Sequence, residues 1–299
     1  MQSSPNHALF RFIFLLLVAL FAPAIQADML EGRHGTIHYE WSARQPTCPN
    51  LAPVVLVHGF STPMWAWTPL FEALQNRGCP VLRFDLHGRG QSQSAAIDTL
   101  STFHDQINDL RTHLAIEGPM NMVGWSMGGA ITASYTKRYP DRIENLVLVA
   151  PFSQAKDIPL IGLPVWDWVV VNGIAQFEPP WGYRHNFADP DLFEMAMPHY
   201  AQMFQDIVLN PDMARSLLSS AREIITQDQL HHYQTLGMLN KPVLMLWGRE
   251  DEVLAFEEHE PLLKAMPQAQ FQVIPQCGHV PQLERPDVFL PAVFDFLLP

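Results

Sequence analysis

Short apolar runs alternate along the chain with amphipathic stretches, a pattern typical of a mostly parallel β-sheet wrapped by helices. Seven runs are predicted to form strands: Thr36–Trp41, Val54–Val57, Val81–Phe84, Met120–Val123, Leu146–Val149, Val243–Trp247 and Phe271–Ile274. Between Leu100 and Leu114 the apolar residues recur at helical spacing, which predicts a helix packed on the sheet. The pattern therefore indicates an α/β fold.

The segment of residues 152–236 interrupts this alternation. It begins with a stretch rich in proline and tryptophan, and two helical stretches follow, near Asp191–Val208 and Met213–Ile225. An insertion of this length without strands of its own predicts a helical cap over the sheet. The rest of residues 28–299 is predicted to form one core domain.

The first 27 residues have the features of a secretory signal peptide. Arg11 precedes a strongly apolar run from Phe12 to Ala22, and small or apolar residues follow up to Ala27. Cleavage near Ala27 would give an exported protein, periplasmic or secreted, and the mass of the mature N-terminus tests this; an uncleaved anchor is the alternative. No later segment offers the ~20 continuous apolar residues of a membrane span, so none is expected in the mature chain.

Composition and charge narrow the class of partner. The chain has 299 residues, of which 48% are hydrophobic, enough to bury a full core. Its formal net charge is -12, and its lysines and arginines are not clustered. A surface that follows nucleic-acid phosphates is therefore not expected. The oligomeric state is not indicated.

Three cysteines are too few for a disulfide scaffold, but one bridge is compatible with export. Cys48 precedes the strand Val54–Val57, and Cys79 precedes the strand Val81–Phe84. These two cysteines can pair if the two strands are neighbours. Cys277 is then expected to be a small buried residue.

The most informative motif is Gly124-Trp125-Ser126-Met127-Gly128, which follows an apolar run and precedes the helical stretch 130–139. A nucleophilic serine needs its hydroxyl lifted clear of the backbone at a tight strand-to-helix turn, and flanking glycines permit the close approach that this turn requires. We therefore predict that Ser126 is a nucleophile. The backbone N–H of Met127 is predicted to donate to a developing oxyanion.

Other motifs supply the groups that activate a serine. Asp251 follows the strand Val243–Trp247, and His279 follows the strand Phe271–Ile274. His279 would take the serine proton, and Asp251 would fix the tautomer of His279. The N–H of Phe60, in a loop that follows another strand, would be the second oxyanion donor.

Together these motifs resemble the α/β-hydrolase superfamily, in particular its serine carboxylesterase and lipase-like members with a helical cap. The residues that carry the resemblance are His58-Gly59-Phe60, Asp85-Leu-His-Gly88-Arg-Gly90-Gln-Ser92, Gly124-Trp-Ser126-Met-Gly128-Gly129, Gly248-Arg-Glu-Asp251 and Gly278-His279. The resemblance implies an eight-stranded, mostly parallel sheet flanked by helices and a triad of Ser126, Asp251 and His279. It also favours Asp251 over its neighbours Glu250 and Glu252.

The nucleophile sets the expected reaction. A serine favours acyl transfer, so we expect a hydrolase that cleaves a carboxylic ester through an acyl-enzyme, with no metal or organic cofactor. The apolar cap segment favours a small to medium, apolar substrate. Lactone hydrolysis, carbon–carbon bond cleavage and perhydrolysis on the same residues are alternatives, as is a non-catalytic ligand-binding role.

Several tryptophans and histidines are candidates for supporting roles. Four tryptophans are candidates for lining the substrate pocket, with packing as the alternative: Trp65, Trp125, Trp166 and Trp168. His58 and His87, each before a glycine in a strand-exit loop, are expected to hydrogen bond to neighbouring loops. The pair His231-His232 has no carboxylate at a metal-ligand spacing and is expected on the surface of the cap.

Overall fold

A computed structural model describes residues 26–48, 50–94, 97–158, 161, 186–189, 191 and 211–298. The strands of this part of the chain are β1 Gln26–Gly32, β2 Gly35–Ser42, β3 Val54–Val57, β4 Val81–Phe84, β5 Met120–Trp125, β6 Ile143–Val149, β7 Val243–Gly248 and β8 Gln270–Ile274. They form one eight-stranded sheet in the order β1-β2-β4-β3-β5-β6-β7-β8. Strand β2 is antiparallel to both of its neighbours, and β3 to β8 are parallel to one another. The predicted fold class is confirmed.

Helices flank the sheet. Those of the described residues are α1 Thr68–Asn76, α2 Leu100–His113, α3 Met127–Arg138, α4 Pro211–Ser220, α5 Leu230–Leu239, α6 His259–Ala265, α7 Pro281–Glu284 and α8 Pro286–Leu297. Short 3-10 helices span Met64–Trp67, Pro140–Arg142 and Phe256–Glu258, and the π-helical turn Ala221–Ile225 continues α4. Helix α2 begins where its sequence predicts, because Thr99 and Thr102 each accept a hydrogen bond from the other's backbone N–H.

The sheet is buried on both faces, which explains why its central strands are apolar runs without a polar alternation. Successive side chains of one strand point to opposite faces. In β5, Met122 therefore packs in a cluster with residues of α2, α3 and α5, whereas Val123 packs in a second cluster with residues of α1 and α8. The two clusters form the core.

The strand order creates one position where loops meet. Strand β3 lies between β4 and β5. After β3 the chain adds β4 on one side of it, then crosses back to add β5 on the other side, and β6, β7 and β8 continue on that side. The loops that leave the carboxyl ends of β3 and β5 therefore lie side by side, at the place where α/β sheets bind ligands. These loops carry Phe60 and Ser126.

Strand β1 is not among the predicted strands. It pairs antiparallel with β2, Gln26 opposite Trp41 and Ala27 opposite Glu40. Pattern recognition misses it because it is a mixed polar and apolar edge strand, and because residues 1–27 match a signal peptide. Residues 1–25 lie outside the described residues, so export and cleavage near Ala27 stay predictions.

The structure also differs from the sequence prediction near the end of the 152–236 segment. Residues 230–236 belong to helix α5, which packs against α3 and α6 and places Tyr233 and Leu236 in the core. His232 shares that buried side and is 8% exposed, so the expectation that it lies on the surface is wrong, whereas His231 is exposed.

The predicted helix Met213–Ile225 is confirmed by α4 and its continuation. The helical stretch near Asp191–Val208 lies, apart from its first residue, outside the described residues, as do Trp166 and Trp168. The cap therefore stays a prediction for most of its length.

The predicted pairing of two cysteines is present in the structure. Strands β3 and β4 are neighbours, and a disulfide joins Cys48 to Cys79 across the loops that precede them. Cys277 is a buried free thiol. Across the ranges that the structure describes, no helix combines the length and apolar character needed to cross a bilayer.

Three buried histidines predict that acid destabilises the fold. Burial lowers the pKa of His58, His104 and His232 to about 4 each. An unfolded histidine titrates near pH ~6.5, so between these values the unfolded chain binds more protons than the folded chain. The contribution of these histidines to the free energy of unfolding is therefore fully present above the unfolded pKa and is lost as the pH falls toward the folded pKa. We expect the urea midpoint of unfolding to be lower at pH 5 than at pH 7.5.

His104→Phe is the matched variant for this prediction. Among the residues that the structure describes, neither ring nitrogen of His104 has a hydrogen-bond partner, and the His104 ring packs edge-on against Tyr135. A phenyl ring can keep that contact without binding a proton. The difference between the midpoints at the two pH values should shrink in this variant, and an unchanged difference would assign the acid sensitivity to other groups.

Candidate active site

Ser126 lies at the turn between β5 and α3 in a strained backbone conformation. Its φ is 55° and its ψ is -121°, a region that non-glycine residues rarely adopt and that costs about 1–3 kcal/mol. The surrounding backbone holds this conformation: Ser126 N–H donates to Val149 O at 3.0 Å, and Phe152 N–H donates to Ser126 O at 2.9 Å. The side chain stays partly exposed. This is the raised serine that the motif predicts.

The glycines of the motif explain how the turn fits. A Cβ on Gly128 would lie within 3.0 Å of the carbonyl oxygens of Val57 and His58, and a Cβ on Gly124 would lie within 3.0 Å of Gly128 O. No side chain can replace either glycine without moving backbone. The end of β3 and the start of α3 therefore pack directly against each other.

His279 and Asp251 meet as predicted. His279 Nδ1 and Asp251 Oδ2 are 2.7 Å apart, and the two residues are 2% and 6% exposed. The other carboxylate oxygen, Oδ1, accepts hydrogen bonds from the N–H groups of Val253 and Leu254, each at 2.9 Å. Because a carboxylate accepts hydrogen bonds, Nδ1–H of His279 is the donor in this contact, and Nε2 is the ring nitrogen that Asp251 leaves free.

The alternative acids point elsewhere. Glu250 Oε2 accepts a hydrogen bond from Cys277 N–H at 2.9 Å, so this carboxylate supports the backbone of the loop before His279. Glu252 is exposed. Of the three acidic neighbours, Asp251 is the one in contact with the imidazole.

Trp125 joins the serine turn to the histidine loop. Its indole N–H donates to His279 O at 2.7 Å, and the two rings are 5.4 Å apart between centroids. The side chain is only 3% exposed. Trp125, a candidate for substrate contact, is therefore placed as a support for the backbone of His279.

The loop that carries Phe60 lies beside Ser126. A Cβ on Gly59 would be 3.4 Å from the Cβ of Ser126 and 3.2 Å from the ring of Trp125. Phe60 itself is partly exposed and packs at the edge of the core.

Trp65, in the 3-10 helix that follows, is partly buried against the second core cluster. Met127 is fully buried, so any role at the site falls to its backbone N–H.

His58 fixes the peptide that bears the Phe60 N–H. Leu86 N–H donates to His58 Nε2 at 2.8 Å, which leaves the proton on Nδ1, and Nδ1–H donates to Gly59 O at 2.9 Å. Gly59 C=O and Phe60 N–H belong to one planar peptide, so this hydrogen bond orients both. Burial lowers the pKa of His58 to about 4 and keeps the ring neutral. The expected loop-bonding role of His58 is confirmed.

Sequence reasoning missed the residues that hold His279 from the other side. His279 N–H donates to Asn186 O at 2.7 Å. Glu284 accepts hydrogen bonds from Gly278 N–H at 2.7 Å and from the N–H groups of Ala188 and Asp189 at 2.8 and 3.2 Å. Burial raises the pKa of Glu284, and the three amides oppose that shift. No sequence pattern marks these residues, since their contacts are set by how residues 186–189 return to the core.

Two other kinds of chemistry find no support in the described residues. Within these ranges, no three His, Cys, Asp or Glu side chains are grouped so as to hold a metal ion. Burial raises the pKa of the Cys277 thiol well above its usual value, so this cysteine is not an activated nucleophile.

Comparison with known proteins assigns the chain to a family. The model of the alpha/beta hydrolase family matches residues 54–292, and the chain belongs to that family. A pimeloyl-[acyl-carrier protein] methyl ester esterase of Nitrosomonas europaea is 25% identical to the chain over 281 residues, covering 88% of this chain and 99% of the relative.

Two solved structures are similar over most of their length. A thermophilic esterase from Thermogutta terrifontis has a TM-score of 0.72 and 25% identity, covering 91% of this chain and 98% of its own. An enol-lactonase from Burkholderia xenovorans LB400 has a TM-score of 0.74 and 22% identity, covering 91% of this chain and 100% of its own, which shows the shared fold.

The Asp251–His279 hydrogen bond predicts that Asp251→Asn lowers turnover. In Asp251→Asn the amide can donate to Nδ1, which would move the imidazole proton to Nε2 and remove the base. Turnover should fall by about 10³–10⁴-fold, with a much smaller change in KM. The exposed Glu252→Gln, which also replaces a carboxylate by an amide, is the matched control and should retain nearly full turnover. Comparable turnover in the two variants would remove Asp251 from the site.

Proposed function

We propose that this chain hydrolyses carboxylic esters, with Ser126 as the nucleophile, His279 as the general base and Asp251 as the residue that orients His279. The observation that carries the proposal is the buried Asp251–His279 hydrogen bond of 2.7 Å, which leaves Nε2 as the basic nitrogen. The raised conformation of Ser126 beside the Phe60 loop supports it. The chain also belongs to the alpha/beta hydrolase family, in which a serine, an acid and a histidine commonly act together.

The proposed reaction proceeds in two halves. Ser126 Oγ attacks the ester carbonyl carbon while its proton passes to His279 Nε2, and the resulting oxyanion accepts hydrogen bonds from Phe60 N–H and Met127 N–H. The carbon–oxygen bond to the alcohol then breaks, and the imidazolium returns the proton to the leaving oxygen. Water repeats the attack on the acyl-enzyme and gives a carboxylic acid and free Ser126.

Two of the similar proteins support an ester as the bond that is cleaved. The Nitrosomonas relative and the Thermogutta structure are both described as esterases. We therefore propose a small-molecule ester as the substrate class. A panel of esters, lactones and β-diketones separates ester hydrolysis from lactone or carbon–carbon bond cleavage.

Ser126→Ala tests the nucleophile. Alanine fits the same turn and removes only the hydroxyl, so the fold should persist while ester turnover falls by about 10⁴-fold or more. Labelling by a fluorophosphonate probe should disappear as well. Ser134→Ala, a buried serine of the same helix, is the matched control and should label normally. A folded Ser126→Ala protein that still turns over esters would remove Ser126 from the mechanism, and an unlabelled wild type would favour a ligand-binding protein.

The apolar stretch around Trp166 and Trp168 is proposed to line the acyl pocket. Each methylene buried there should contribute up to about 0.8 kcal/mol, so kcat/KM should rise with acyl length and fall once the chain outgrows the pocket. Trp166→Ala or Trp168→Ala should flatten this rise, with acetyl-ester turnover little changed. A profile of p-nitrophenyl esters measures it, and an identical profile in both variants would assign the stretch to packing.

A further inference from the structure

Arg89 is a charged side chain that lies wholly inside the protein, next to the proposed oxyanion loop. Its exposed fraction is 0%, and it forms an ion pair with Asp98 at 3.1 Å. Burial lowers its pKa to about 10, and Asp98 opposes that shift, so the guanidinium remains charged at neutral pH. A buried charge is expensive unless every donor is used, which makes the partners of this group informative.

One partner of Arg89 is the loop itself. Arg89 Nε–H donates to Phe60 O at 3.0 Å. Since His58 holds Gly59 O, the peptide before Phe60 and the peptide after it are both held by side chains. Two held peptide planes fix the backbone angles of Phe60 between them, and with these the direction of the Phe60 N–H.

Arg89 Nη1 also donates to His87 O at 2.9 Å, and two further partners lie on helix α4. Arg89 Nη1 donates to Ser216 Oγ at 2.8 Å, and Nη2 donates to Ser220 Oγ at 2.8 Å. Residues four apart lie on one face of a helix, so α4 presents a hydroxyl face to the guanidinium. Ser216 also hydrogen bonds to Asp98. A single guanidinium therefore joins α4, within the segment 152–236, to the loop that carries Phe60.

We propose that Arg89 is a positioning residue that aims the Phe60 N–H at the oxyanion and couples this aim to the position of helix α4. The proposal rests on the proposed function, because it assigns Phe60 N–H the role of an oxyanion donor. Arg89 does not touch the substrate; it acts through the backbone of Phe60. Its effect should therefore appear in transition-state stabilisation and leave ground-state binding nearly unchanged.

Arg89→Lys tests the positioning role. Lysine keeps the charge, but a single ammonium cannot reach Phe60, Asp98 and Ser220 together. Loss of an oxyanion donor costs about 10²–10³-fold in turnover, so a misaimed donor should lower kcat by roughly 10–100-fold with KM changed less than about threefold. The affinity for a trifluoromethyl ketone, whose adduct with Ser126 carries an oxyanion, should fall in parallel with kcat/KM.

Arg83→Lys is the matched control. Arg83 is 8% exposed and pairs with Glu40 at 2.7 Å, but it lies on β4 and contacts neither Phe60 nor α4. This variant should lose stability, while kcat and ketone affinity stay as in the wild type. If Arg89→Lys behaves in the same way, the positioning role is wrong and Arg89 serves the fold alone.

The double variant Ser216→Ala, Ser220→Ala tests the coupling to α4 and also decides the matter if Arg89→Lys does not fold. It keeps the charge and the Arg89 hydrogen bond to Phe60. We expect a decrease of roughly 3–10-fold in kcat, matched in ketone affinity, because the guanidinium loses both hydrogen bonds to α4 and keeps Phe60, His87 and Asp98 as partners. Unchanged values would overturn the coupling and, if Arg89→Lys does not fold, the proposal as a whole. If the wild type neither cleaves esters nor binds the ketone, the proposed function itself fails, an outcome distinct from active variants with unchanged kinetics.

Discussion

The close approach between the turn at Ser126 and the end of β3 is the constraint on which the rest of the site depends. Gly128 lies against the carbonyl oxygens of Val57 and His58, with no room for a side chain. This contact sets the serine beside Gly59 and so brings the proposed nucleophile close to the loop of the proposed backbone donor, Phe60. The strained angles of Ser126 persist because β6 and the residues after it hydrogen bond to the turn from the other side.

Around this contact, side chains hold several backbone segments of the proposed machinery. His58 holds the peptide before Phe60, Arg89 holds the peptide after it, and Trp125 holds the carbonyl of His279. Glu284 holds the amide that precedes His279. His58, Arg89 and Trp125 are buried, where a hydrogen bond is stronger and an unmade one is costly. Such a network resists motion at the atoms that must align, as electrostatic preorganisation requires.

The parts predicted correctly from the sequence are those with local signals. Parallel strands that are buried on both faces are apolar runs, and the strands β3, β4 and β7 appear within a residue of their predicted bounds. Helix α5 was not predicted, since its pattern includes His231, His232 and Gly237, and only its contact with α3 and α6 shows which side is buried. Strand β1 needs β2 as a partner, and an edge strand has a weak periodicity of its own.

By itself, the sequence determined the order of the chemistry: a serine, an acid and a histidine, each placed after an apolar strand of a parallel sheet, with glycines where backbone must approach backbone. The resemblance of its motifs to a known family also favoured Asp251 among the three neighbouring acids. The tertiary structure alone decided which side chains support the proposed reacting groups. Arg89 is 127 and 131 residues away from the two serines that it binds, and Trp125 is 154 residues away from His279. The physical reason is that periodicity and turn chemistry act over a few residues, whereas these hydrogen bonds exist only once sheet register and helix packing bring distant segments within 3 Å or so of each other.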